Sequence, residues 1–183
     1  MGKKEFDDFL KKEDGNNKKN INWEENLRRW KKNVDLLYSN IEYWLKEYTD
    51  NGRVFIDKKD KEVFEEAIGK YTIPKMNIKL GNKLVVLEPI GTVLIGTIGR
   101  VDVIGEKKTQ KLILADKDST GPKIEVSMFT SEEDRKRHDD KIKKLASTPV
   151  NWVWKLTTNP PDIVYSELNE GSFFECLMDV SNG

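Results

Sequence analysis

The chain has 183 residues, enough for one domain with a buried core plus tails, and its apolar share of 37% against 35% charged leaves part of it as solvated tail or insertion. Thirty-two basic residues balance 32 acidic ones, so there is no net basic field of the kind a nucleic-acid or anionic-membrane binder needs. A single cysteine, Cys176, excludes an internal disulfide and fits a reducing compartment, and the first ten residues carry no apolar stretch of signal-peptide length, so a cytoplasmic protein is expected.

Residues 1–21 read as a tail. Phe6, Phe9 and Leu10 have helical spacing, so a short docked helix is the alternative to a flexible terminus, and residues 15–20, Gly-Asn-Asn-Lys-Lys-Asn, read as a linker. The domain proper is expected over 22–183.

The clearest element spans residues 23–48. Trp23, Leu27, Trp30, Val34, Leu37, Ile41, Trp44 and Tyr48 are spaced alternately four and three apart, which is one face of a helix. Asn22 with Glu25 makes a capping box, and Asp50-Asn51-Gly52 a stop. Tyr38 and Leu45 widen the apolar stripe, which suits packing on a sheet better than a two-stranded coil.

From Gly52 the period becomes two. Residues 53–56 are a short strand candidate; 62–68 fit either a helical turn or a strand. Residues 71–80 read as a strand placed at an edge by Pro74, with Gly81-Asn82 turning into 83–87. Residues 92–97 are a further strand candidate. The best hairpin is 99–104 with 110–116, and 123–129, 150–157 and 163–166 complete the strands. Residues 131–146 are a charged helix candidate, a surface helix or insertion within 131–147 whose first 14 residues carry six basic and five acidic side chains. Residues 170–180 form a closing amphipathic helix, capped by Asn169, with Leu168 and Phe173 placed as a hydrophobic staple. Strands run consecutively through the middle and strong helices sit at the ends. Most gaps are too short for crossovers, so the expected class is α+β with helices on a mostly antiparallel sheet.

Residues 99–105 (Gly-Arg-Val-Asp-Val-Ile-Gly), 151–156 (Asn-Trp-Val-Trp-Lys-Leu) and 167–180 together resemble a family of small bacterial proteins with no assigned activity. The likeness covers the chain from Trp23 onward, and the charged stretch 131–147 is its variable part. It implies bacterial origin and a cytosolic location, and it carries over no functional residue.

The chemistry is sparse. The one histidine, His138, lies in a charged run, so triads that depend on histidine are not supported, and one cysteine with one histidine makes no structural zinc site. Cys176 sits beside Phe173 and Leu177 as a packing residue. Glycines 91, 96, 99 and 105 do not form a phosphate-binding loop; Gly96 and Gly99 read as permitting a bend.

Two functional readings follow. In the first, the protein is a non-enzymatic protein-binding or regulatory module, acting through a sheet edge or helix face, with a homodimer as one form. Trp152 and Trp154 share a strand face, and Trp44 lies on the helix seam; incompletely covered, they would form a partner-binding patch. In the second, Asp102 with Asp116 and Asp118 binds Mg²⁺ for phosphodiester hydrolysis, with Glu88 and Glu125 as further ligand candidates. The order Asp116-Lys117-Asp118 departs from the acid–spacer–lysine pattern of such nucleases. The plainer reading pairs Asp102 with Arg100 or a lysine across the hairpin, and makes Asp116 and Asp118 turn residues.

Overall fold

The computed structural model describes residues 4, 6–7, 23–92, 98–122, 131–134, 136–137 and 150–182. The seam of apolar residues builds helix α1, Trp23–Trp44, and Trp30, Val34, Leu37, Tyr38 and Ile41 are its buried side. Leu45 then interrupts the helix for one residue before the single turn of α2, Lys46–Asp50. Gly52 ends it at φ 75°, a conformation that favours glycine, and the Arg53 amide closes the end on the Tyr48 carbonyl.

Seven described strands follow in an antiparallel meander, each paired with its sequence neighbours. They are β1 Val54–Glu65, β2 Gly69–Leu80, β3 Lys83–Gly91, β4 Arg100–Ile104, β5 Thr109–Asp116, β6 Trp152–Thr157 and β7 Tyr165–Glu167. Helix α3, Glu170–Asn182, closes the chain. Asn169 caps it: its side-chain oxygen accepts from the Ser172 amide at 3.0 Å, and its own amide donates to Ser172 Oγ at 2.9 Å.

The α+β class is as expected, with two departures in the strands. Residues 53–56 and 62–65 are not separate elements. They are the two ends of one 12-residue strand whose charged middle, residues 57–62, pairs with β2 while its side chains lie largely in solvent. Pro74 lies in a strand with neighbours on both sides, yet the β2–β3 ladder stops at Met76 paired with Leu87. Continued by two residues, the register would set Pro74 opposite Pro89, and neither has an amide to donate. Beyond that point β1 and β2 are a two-stranded ribbon. Its buried positions change from even (Met76, Ile78) to odd (Tyr71, Ile73), so the ribbon turns over there, in keeping with the stronger twist of two-stranded pairs. The Tyr38 hydroxyl bridges the place, lying 2.9 Å from the Pro74 carbonyl and 3.3 Å from that of Leu87.

Both long helices pack on one face of the sheet. Trp30 meets Trp154, Trp44 meets Phe173, and one core cluster joins α1, α3 and the inward residues of β1 to β5. Gly99 and Gly105 mark the closest approaches. A side chain at Gly99 would overlap the Trp30 ring, and one at Gly105 the Val180 backbone. Gly99 therefore serves close packing on a tryptophan, beyond the bend read from sequence. The opposite sheet face carries the polar set Glu88, Asp102, Lys111 and Thr157, aligned across four strands.

Several expectations lie outside the described residues: the strands at 93–97 and 123–129, Glu125, His138, the Asn22 cap and most of the charged helix. Residues 132–134, 136 and 137 are helical, as are Lys4, Phe6 and Asp7.

Candidate functional site

Residue period two places Trp152 and Trp154 on the α1 side of β6, beside Leu114 and Leu156 of the inward face. Helical period places Trp44 two turns on from Leu37 and Leu36, on the flank of α1 that faces β6. The three tryptophans named from sequence therefore meet. They line one cleft of about 420 Å³ between α1 and the outer edge of β6, with Leu36 and Asn40 on the helix side and Lys117 and Glu167 at the rim. That volume is in the range of pockets that take a small ligand or a partner's side chains.

The cleft has a fixed floor. Trp154 donates its indole N–H to the Asn33 carbonyl at 3.0 Å, and its ring lies 5.8 Å from that of fully buried Trp30. Trp44 is braced by Phe173 at 5.6 Å. Behind the strand, Lys155 is 7% exposed, and its ammonium donates to the Lys117 and Ser119 carbonyls at 2.6 and 2.5 Å. These bonds tie the turn after β5 to β6 and so set the lower wall. Leu36 is 51% exposed, which leaves an apolar side chain in solvent at the mouth. Two rigid aromatic walls and an uncovered leucine suit apolar contact better than proton transfer.

Leu36 and Lys155 were missed by sequence reading. Leu36 lies one residue before the seam and breaks its spacing, the only available signal. Nothing local marks Lys155, because its partners come from the preceding turn.

The acidic candidates are placed apart. Asp102 is 8% exposed and pairs with Arg100, which donates from Nε to Oδ1 at 2.6 Å and from an Nη to Oδ2 at 2.7 Å. The paired carboxylate holds the Arg100 guanidinium above its ordinary range. Asp102 lies opposite Lys111, and Asp116 is five residues further along β5, so the two point to opposite faces and stand roughly 17 Å apart along the strand. Asp116 Oδ1 accepts from the Asp118 amide at 3.1 Å, which makes the pair a turn. Glu88 is on the Asp102 face but is engaged by Lys61 at 2.7 Å. Among the described residues no three histidine, cysteine or acidic side chains are grouped to hold a metal.

Cys176 is 5% exposed on α3, and its thiol is pushed up to about 12 by burial and then by the charge of Asp179. At neutral pH it is a protonated packing group with little nucleophilic character.

No described helix is long and apolar enough to cross a membrane. A scan of protein-family models, a search of curated proteins and a search of solved structures each returned no match for this chain.

Proposed function

We propose that the protein is a non-enzymatic binding module that holds a protein partner in the tryptophan cleft between α1 and β6. The observation that carries this reading is the convergence of Trp44, Trp152 and Trp154 on one open cleft with exposed Leu36 at its mouth. Aromatic anchors around an uncovered apolar site are the usual core of a protein interface, and these three tryptophans are half-buried in the free chain. The bonds at Trp154 and Lys155 hold the walls before any partner arrives, which lowers the ordering cost of association.

The test is comparative affinity capture from a lysate of the source organism, using the wild-type chain and Leu36→Asp. Leu36 is half in solvent, so the variant keeps the fold, which circular dichroism checks. The expected result is a partner retained by wild type and lost by the variant. Identical retained sets would place the binding surface elsewhere.

A further inference from the structure

Resting on that reading, we propose that the occupant is an extended peptide segment that adds as a strand to the first half of β6, beside Asn151–Val153.

The direction of the backbone groups carries the argument. The Thr158 amide donates toward the β7 side, to the Val164 carbonyl at 3.1 Å, so the even residues of β6 direct their amides and carbonyls outward. The Lys117 amide donates to the Asn151 carbonyl at 2.8 Å, so the odd residues face β5. Strand β7 pairs only with Lys155, Leu156 and Thr157. Trp152 therefore holds an N–H and a C=O toward the outside with no described residue bonded to them there, whereas the register that sets Lys155 against Glu167 brings Leu168 opposite Trp154. An open edge of this kind is a template for another strand.

The cleft lies over that same edge. A strand laid about 4.8 Å outside β6 would send every second side chain to the α1 side, into the space bounded by Trp44, Trp154 and Leu36. Main-chain bonds would give affinity, and the cleft would select bulky apolar residues at alternate positions. The intervening residues would face solvent.

A second copy pairing through the same edge does not fit. From Trp154 on the row is already filled by Leu168 and β7. A two-fold pairing centred on Val153 would drive each copy's β7 into the chain preceding the other's β6. A lone peptide meets no such obstacle, provided that it ends or turns where Leu168 leaves for α3.

The test uses the full chain and a displayed library of random heptapeptides; the best binder is then synthesised. Each of its amides is N-methylated in turn, and every version is titrated against wild type and Leu36→Asp. Strand addition predicts at least tenfold weaker binding for methylation at alternate positions, less than twofold between them, and at least tenfold weaker binding to Leu36→Asp. Loss with Leu36→Asp but no alternation overturns strand addition and leaves the cleft reading standing. Binding indifferent to Leu36→Asp overturns both. A library that yields no binder overturns strand addition. So does a wild-type dimer that Leu36→Asp dissociates, which gives the edge to a second copy.

Discussion

Lys155 shows how much of the site depends on single side chains. Its ammonium is nearly out of water and bonds to two turn carbonyls. Lys155→Met keeps the stem and removes those bonds, leaving two carbonyls without that partner. We expect a loss of about 1.5–3 kcal/mol in urea unfolding; a change below about 0.5 kcal/mol would mean that water replaces the ammonium at no cost. Gly99→Ala sets a methyl against the Trp30 ring and should cost about 1–3 kcal/mol by the same assay. Cys176 gives a pH test. Below pH 9 its thiol is protonated in both folded and unfolded chains, so its contribution is present in full. Between pH 9 and about 12 the unfolded thiol ionises first, and stability falls by up to about 1.4 kcal/mol per pH unit. Burial also raises the Tyr38 phenol, which adds a loss of the same sign above its ordinary value of 10. Cys176→Ala should therefore unfold with a shallower dependence between pH 9.5 and 11, and an unchanged slope would show that the folded thiol titrates normally. The tryptophans were legible at this scale because period two and period 3.6 fix faces without tertiary knowledge. Lys155 and Gly99 were not, since their partners are distant in sequence.

At the scale of elements, α1 was legible because its seam holds for six turns, and the glycine that takes positive φ stops the helical stretch at the end of α2. Strand β1 was not. Its run Asp57-Lys58-Lys59-Asp60-Lys61-Glu62 has no apolar alternation, because its side chains lie largely in solvent or in ion pairs, Lys58 with Glu42 and Lys61 with Glu88, while the ladder to β2 holds the backbone. The two prolines were visible, and Pro74 alone argued for an edge. What sequence could not show is that the β2–β3 ladder stops at Met76 and Leu87, short of the two prolines, so that one strand is central over half its length and part of a two-stranded ribbon over the rest. The consequence for stability is uneven. Lys59→Glu, in the solvated half, should change unfolding free energy by less than about 0.5 kcal/mol. Met76→Ala, fully buried where the ladder to β3 begins, should cost about 2–5 kcal/mol. Equal effects at the two positions would mean that the ribbon is packed along its whole length.

For the whole molecule, one layer of helix on one face of a meander leaves several unfinished surfaces, a second apolar cleft of about 410 Å³ beside Leu45, Val54 and Phe174 among them. On the face with Glu88, Asp102 and Lys111, the two carboxylates are engaged with Lys61 and Arg100, and Ile113 and Ala115 of the same face are buried. The outer edge of β6 is different: before the stretch covered by Leu168 and β7 it offers the Trp152 backbone groups beside aromatic rings. Sequence gave the tryptophans but not the edge, since the shortness of β7 is a matter of register, which no local pattern records. The most direct measurement is residue-resolved amide exchange across β6 in the free protein. With an open outer edge, the amide of Trp152 exchanges quickly while those of Val153 and Lys155, turned toward β5, are protected. Uniform protection from residue 152 through residue 155 would show the edge already occupied, and would contradict the account.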